Sequence, residues 1–439
     1  MPSAGSDQGF TSLERLLRRV VDVKSGEAAA LVASFLFFFA VLTSYYIIRP
    51  VRDEMGMMLT KEDGQALHTI FVYVFLVMIA AVPVFGWVME NVPLRLVVPT
   101  VYGFFISNLL LFWLILEGRG QSHLVAKLFF IWVSVFNLFV VSMFWSTLSE
   151  LWRSEEAKRL YGFVAAGGSV GAMTGPLIAQ SLVTVVGTDK LLLISAGFLG
   201  FGLVLSLALR SLFAGRSRDD EAGEPRRSGI LAGASMVWNS PYLMGIALWV
   251  LLANLILTYF YLEQARIVGA AIVDRAARVQ ILARVDLAVS VLTIGLQLFM
   301  TGRVMSKLGL GLAIACVPLV AIGGFIGLAI APVVGVILAI MVAERSLGFA
   351  FANPAARVLW TAVDREAKYK AQSFVDTVVF RAGDAGSGWV FGTLSKTLGL
   401  GGAAIAFVTV PFAIGWLMLS LKLALMHGRL VEKQPEGVK

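Results

Sequence analysis

Charge is scarce in this sequence. Only 15% of its 439 residues are Asp, Glu, Lys or Arg, whereas soluble domains carry about 25%. Phe, Leu, Val, Ala and Gly fill the gap: 58% of the chain is hydrophobic and the mean hydropathy is +0.83. A water-soluble fold of this size could not hide so much apolar surface, but a bilayer can, at roughly 20 apolar residues per crossing helix. Cysteine is nearly missing. Cys316 is the single thiol, so no internal disulfide can form, and its place inside an apolar run assigns it to packing. The three histidines, His68, His123 and His427, are scattered, with neither metal-ligand spacing nor a nucleophile motif nearby. Neither a metal, nor a cofactor, nor an enzymatic reaction is therefore expected. Short segments of alternating polarity, the mark of a membrane β-barrel, are missing as well. The apolar runs are long and continuous, as over 31–48 and 308–330, and only helices satisfy the backbone of such runs in lipid.

Twelve apolar segments can be counted, at about 28–48, 66–88, 94–116, 124–148, 159–184, 190–212, 240–262, 281–301, 308–330, 332–352, 370–394 and 400–425. The first begins only after a polar lead and is followed by no small-residue cleavage site, so no cleavable signal peptide is expected. Within the lead, Thr11 and Glu14 make a capping box. Leu13, Leu16, Leu17, Val20 and Val21 then share a face that Arg15, Arg18 and Arg19 avoid. That pattern fits an amphipathic helix on the membrane surface or a plain lead-in helix. A polar stretch, 214–229, is the one obvious internal linker. The expected organisation is a cytoplasmic segment 1–27, a six-helix bundle 28–213, a cytoplasmic linker 214–239, a second six-helix bundle 240–425 and a tail 426–439. With the N-terminus inside, the inner segments carry 23 Lys and Arg and the outer loops 9. This bias supports an even number of crossings with both termini cytoplasmic. It also accounts for the net charge of +8 without a nucleic-acid partner.

The two halves echo one another. Gly86-Trp-Val-Met-Glu90 with Arg95 follows segment two, and Gly302-Arg-Val-Met-Ser306-Lys307-Leu-Gly309 follows segment eight. Both resemble in part the short cytoplasmic motif of major facilitator transporters. Glu156-Ala157-Lys158 recurs as Glu366-Ala367-Lys368 before segment eleven. Two six-helix halves with the substrate at their interface is a common carrier design. In segment five Gly167, Gly171 and Gly175 line one face, where absent Cβ atoms let helices approach, either as static packing or as a surface that rocks during alternating access. Gly388 and Gly392 form a smaller stripe in segment eleven. The glycine run over 165–176 lacks the Lys-Ser/Thr of a phosphate-cradling loop.

Ionisable residues within the spans are the informative ones, since each costs about 2.5–3.5 kcal/mol at the bilayer centre even on an insertion scale. Segment one ends with Tyr45, Tyr46, Arg49, Arg52, Asp53 and Glu54; segment eight holds Arg284 and Asp286; segment ten Glu344 and Arg345; segment eleven Asp376, Arg381 and Asp384. Arg284 and Asp286 are two residues apart, about 200° around a helix, and cannot pair with each other. Arg381 and Asp384 can. A structural ion-pair network is one reading. The other is a solute site in which Arg49, Arg52, Arg284 and Arg381 grip an anionic group, while Asp286, Glu344, Arg345, Asp376 and Asp384 couple or gate. Tyr45 and Tyr46, one turn from Arg49, are placed to stack on a flat ligand. Arg52 and Glu54 also admit a plainer reading, as solvated charges at the outer mouth. Most tryptophans, among them Trp87, Trp113, Trp249 and Trp416, read as belt or packing residues.

The stretches 45–56 (YYIIRPVRDEMG), 157–176 (AKRLYGFVAAGGSVGAMTGP) and 367–386 (AKYKAQSFVDTVVFRAGDAG) resemble bacterial members of the ATP/ADP translocase-like family. The resemblance implies an all-α, twelve-helix major facilitator-type fold in the bacterial inner membrane and an anionic substrate, with nucleotide exchange as its sharpest form. Phosphate-binding carriers of that group use intramembrane lysines, whereas here Lys127 is the one Lys well inside a span and the other buried cations are arginines. The expected partners are a small anionic solute and membrane lipid, and a monomer is expected because one chain carries both halves. Two rivals stay open: a proton-coupled transporter of an unrelated solute (drug, siderophore, peptide or lipid precursor), and a non-transporting receptor or assembly factor.

Overall fold

The computed structural model describes residues 14, 17, 18, 21, 23–62, 66–91, 93–120, 122–152, 154–213, 230–363, 370–372 and 374–432. Every regular element among them is helical. The first six long helices are α1 (Ala28–Glu62), α2 (Ala66–Asn91), α3 (Leu94–Arg119), α4 (His123–Leu151), α5 (Ser154–Val186) and α6 (Leu191–Phe213). A short α7 (Ile230–Asn239) precedes α8 (Pro241–Ala271) and α9 (Arg275–Leu296). Beyond α9 the chain runs through π turns at Gln297–Thr301 and Val304–Leu308 into α10 (Gly309–Ile330). Next come α11 (Val334–Leu347), a π turn at Gly348–Ala352 and α12 (Asn353–Leu359). A π turn at Val375–Val379 then leads into α13 (Phe380–Lys396), and α14 (Gly402–Glu432) closes the order. Ten spans among the described residues are long and apolar enough to cross a membrane, and α2 adds a shorter apolar stretch, Thr69–Ala81. The chain is an all-α, multi-pass membrane protein.

Local chemistry sets several helix starts. Ser122 Oγ accepts from the Val125 N–H at 3.2 Å to cap α4. Ser240 Oγ does the same for Leu243 at the start of α8, with Pro241 in the first turn, where its missing N–H costs nothing. Asp274 Oδ2 accepts from the Ala277 N–H at 2.7 Å and begins α9. Three expected spans are corrected here. The first continues through Pro50 to Glu62, because Val51, Met55, Met57 and Leu59 prolong its buried face. Span seven reaches Ala271, and span eight starts at Arg275 rather than 281. Arg49, Arg52, Arg266, Arg275 and Arg278, counted with the outer loops from sequence, are therefore helical residues. Of the proposed surface helix 11–24, only Glu14, Leu17, Arg18, Val21, Val23 and Lys24 are described; Leu17 is buried, Arg18 is exposed, and the Glu14 carboxylate accepts from Gly26 N–H at 2.7 Å. The linker 214–229 and the repeat Glu366-Ala367-Lys368 lie outside the described residues, as does the side-chain detail of Gly86 to Glu90 and Arg95.

The chain forms two compact units. Unit 1 holds Met1–Met55, Val77–Glu221 and Asp274–Leu287, and unit 2 holds Gly56–Leu76, Ala222–Val273 and Ala288–Lys439. The core of unit 1 is aromatic: Phe38 stacks on Phe144 at 4.2 Å, Phe37 meets Phe144 edge-on at 5.0 Å, and Tyr102 donates its hydroxyl to Val140 O. Here α5 lies on α1 through its glycines. A Cβ at Gly171 would sit 2.5 Å from Phe39 O and 3.1 Å from Thr43 N; one at Gly175 would sit 2.6 Å from Tyr46 Cβ; and one at Gly167 would overlap Phe35 O. The four-residue spacing of the glycines thus matches the four-residue spacing of Phe35, Phe39 and Thr43, ridge into groove.

In unit 2 Phe260 stacks on Phe325 at 4.7 Å, and Tyr259 touches Phe325 and Phe391. Gly383 of α13 presses on Asn254 of α8, where a Cβ would meet Asn254 Nδ2 at 2.8 Å. Gly383 stands 212 residues after Gly171, and Asn254 stands 211 after Thr43. The same small-residue contact is therefore built twice. Buried Tyr242 donates its hydroxyl to Leu359 O at 2.7 Å, tying α8 to the end of α12. Tyr242→Phe is expected to lower stability by about 1 kcal/mol, since it leaves that carbonyl unpaired. A chemical-denaturation midpoint in detergent, compared with Tyr73→Phe at an exposed site, measures it.

Candidate functional site

Unit 1 contains a buried charge network. Glu54 is fully buried, and its two oxygens are taken by Arg278 Nη2 at 2.7 Å and Arg275 Nε at 3.1 Å. Arg275 Nη1 also donates to Asp189 at 2.7 Å. Further along α1, Arg49 lies 3.7 Å from Asp286 of α9 and 5.7 Å from the centroid of the Tyr46 ring, which Tyr45 meets edge-on. Arg52 pairs with neighbouring Asp53 at 2.6 Å and lies over the Phe130 ring. The donor side is not saturated. Arg49 Nε, Arg275 Nη2, and Arg278 Nε and Nη1 are buried without an acceptor. Buried N–H groups of a guanidinium are costly to leave unpaired, so the network has room for an added acceptor.

Unit 2 contains a cavity of about 350 Å³. Its wall is formed by Trp249, Trp360, Trp416 and Phe380, with Asn254, Asn353, Glu344, Arg357 and Asp376 as the polar groups. Glu344 is buried. Arg357 and Asp376 pair at 2.6 Å and are both more open. Trp249 Nε1 donates to Ser420 at 2.9 Å, while the buried Trp416 Nε1 has no acceptor. Two π turns border the space, supplying Gly348 and Ala352 from one and Val375 and Asp376 from the other. Such turns interrupt the regular backbone ladder and recur at functional sites.

The Major Facilitator Superfamily sequence family matches residues 35–383. The chain belongs to the major facilitator superfamily. None of the curated proteins matches its sequence. Solved structures of the superfamily's architecture do match. A bacterial homologue of the human lysosomal transporter Spinster, inward-facing and unoccupied, aligns with a TM-score of 0.56 and 14% identity over 95% of this chain and 100% of that one. The nucleoside transporter NupG aligns at 0.62 and 13% identity over 91% and 99%. A POT family transporter in complex with 5-aminolevulinic acid aligns at 0.61 and 13% identity over 92% and 96%. At these identities the likeness is one of fold alone; it is membership of the major facilitator superfamily that marks the chain as a transporter rather than an enzyme.

The residues singled out from this major facilitator sequence separate into the two units. Tyr45, Tyr46, Arg49, Arg52 and Asp286 meet in unit 1, together with the stripe Gly167, Gly171 and Gly175 behind them. Arg284 points away from buried Asp286 and is exposed, as their 200° separation requires. Glu344 and Asp376 meet at the unit 2 cavity, whereas Arg345, one residue on, is half-buried and does not line it. Arg381 and Asp384 lie 3.7 Å apart on α13. The reading of Arg52 and Glu54 as solvated charges at a mouth is overturned. Glu54 has no exposed surface and Arg52 is only 14% exposed at its side chain, because α1 continues past Pro50 and carries both into contact with packed helices. Sequence reasoning missed Arg275, Arg278 and Asp189 in unit 1, and Arg357, Asn254 and Trp360 in unit 2. The cap at Asp274, a signal for helix onset, would have put Arg275 and Arg278 on one helical face.

Proposed function

We propose that this chain is a secondary active transporter that moves an organic anion across the bacterial inner membrane by alternating access, working as a monomer with both termini cytoplasmic. The observation that carries this reading is the unsaturated set of buried arginine N–H groups in unit 1, at Arg49, Arg275 and Arg278. Planar guanidiniums suit carboxylates and phosphates, which accept two hydrogen bonds at once. Tyr46 beside Arg49 offers a ring to a flat substrate, which makes nucleotide exchange the sharpest form of the proposal. The ion pair of Arg49 with Asp286 is long at 3.7 Å and so is suited to exchange its partner for a substrate group.

Thermal stabilisation of the detergent-purified protein tests this. A ligand that binds only the folded state stabilises by about 2.7 kcal/mol at a hundredfold excess over Kd. ATP, ADP, other nucleotides, phosphate esters and simple dicarboxylates are compared with uncharged solutes of similar size, on the native chain and on Arg49→Ala and Arg381→Ala. The expected result is a shift from one anion class that Arg49→Ala abolishes. A shift from non-nucleotide anions alone would discard nucleotide exchange and keep the anion. A shift from uncharged solutes with none from anions would discard the anion itself.

A further inference from the structure

We infer that the cavity in unit 2 is a second solute site, one that takes an uncharged, flat-ringed molecule bearing a carbonyl oxygen, and that it works independently of the arginines of unit 1. Its volume of about 350 Å³ falls within the range of about 300–1,000 Å³ that holds small organic ligands. Trp249 of α8, Trp360 after α12, Phe380 of α13 and Trp416 of α14 all line it. Four rings from four stretches of chain suit an aromatic body, because rings pack well on other rings in offset or edge-on arrangements. Trp249 and Trp416 already stand in such a relation, 5.8 Å apart at a 54° tilt. Asn254 Nδ2 donates to Phe380 O at 2.9 Å, which ties the Phe380 part of the wall to α8.

The carbonyl is called for by Trp416. An indole N–H can donate but not accept. That of Trp249 goes to Ser420 Oγ at 2.9 Å, and Ser420 in turn donates to Trp416 O at 2.8 Å. Trp416 Nε1 has no acceptor, although the residue is only 1% exposed. Among the described residues it is the one buried, unpaired side-chain polar atom of the cavity wall. A buried donor left unpaired costs more than an ordinary hydrogen bond returns, so a carbonyl gains here what a hydrocarbon cannot. The ionised residues of the wall make no such demand. Arg357 pairs with Asp376 at 2.6 Å, and buried Glu344 is engaged by an interaction of its own. A charged ligand would leave water for an aromatic wall whose charges are already committed, which is costly.

The probe is 1-indanone. Its controls are indane, which has the same rings without the carbonyl oxygen, and the charged analogues 1-aminoindane and indane-1-carboxylate. Affinities are read by ligand-observed NMR on the full-length, detergent-purified protein, against protein-free micelles of the same detergent. The charged analogues are read by their displacement of 1-indanone, so that an anion held at the unit 1 arginines does not count. On the native chain 1-indanone is expected to bind about three- to tenfold tighter than indane, the range of one net hydrogen bond. Either charged analogue should compete at least about tenfold more weakly than 1-indanone itself. Trp416→Phe, which keeps a ring and removes the N–H, should bring 1-indanone down to the affinity of indane and leave indane unchanged. Arg49→Ala should leave 1-indanone binding unchanged. Equal binding of 1-indanone and indane to the native chain would overturn the inference, and that comparison needs no variant to fold. No binding above the micelle level, stronger competition by a charged analogue, a Trp416→Phe variant that weakens neither ligand or both alike, or loss of 1-indanone binding in Arg49→Ala would each overturn it too. None of these results bears on the anion proposal, which is read from the anion panel alone.

Discussion

Glu54→Ala is expected to destabilise the protein by about 3–5 kcal/mol, the usual cost of removing one partner from a buried ion pair. The size of the effect follows from what remains. Arg278, with a side chain 7% exposed, would lose its acceptor, and Arg275 would keep only Asp189. Asp189→Ala should cost much less, about 0–1 kcal/mol, because Asp189 is 29% exposed and water can replace it. Denaturation midpoints of the two variants in the same detergent give the comparison directly. The double variant Glu54→Met with Arg278→Met should recover most of the loss, since a well-packed apolar pair can stand in for a buried ionic one. If Glu54→Ala melts with the native chain, Glu54 does not hold Arg275 and Arg278 as described.

Gly171→Ala is the second large effect. The new methyl would lie 2.5 Å from Phe39 O, and a backbone carbonyl within a helix cannot swing aside as a side chain can. The two helices would have to part, loosening the contacts of Gly167 and Gly175 together. A loss at the upper end of the about 1–3 kcal/mol typical of overpacking is expected. Gly162→Ala on the same helix is the matched control. Nothing lies within 4 Å of its added Cβ, so it should gain up to about 1 kcal/mol from helix propensity. Opposite shifts in melting temperature establish that α5 rests on α1 through its glycines. Equal shifts would mean that the contact yields.

The fold was legible because bilayer helices are written in long apolar runs, and Leu31 to Ile48 or Leu308 to Ile330 leaves no other reading. The glycine stripe was legible for a related reason: a spacing of four with no side chain has meaning only against another helix. Residues at the ends of the apolar runs were harder. A hydropathy count stops where charge begins, so it placed Arg49, Glu54, Arg275 and Arg278 in loops. The backbone continues there because charges that find opposite charges on a neighbouring helix no longer need water. That pairing joins Glu54 to residues more than two hundred positions away, and no local window contains it. The cavity was hidden for the same reason. Trp249 and Trp416 read singly as belt or packing residues, Trp360 was not singled out at all, and only the folded chain brings the three to one cavity with Glu344.

The π turn at Gly348–Ala352 carries one residue more than an α turn would over the same rise. Helical phase advances by about 100° per residue, so this surplus residue decides which way everything after it faces. Deleting one residue there would restore the regular ladder and rotate Asn353, Ala356 and Arg357 by about 100° around the axis, away from Trp249 and Glu344. The cavity thus depends on a count of residues as much as on their chemistry. A single-residue deletion at this point could leave every lining side chain in the sequence and still dismantle the wall they form.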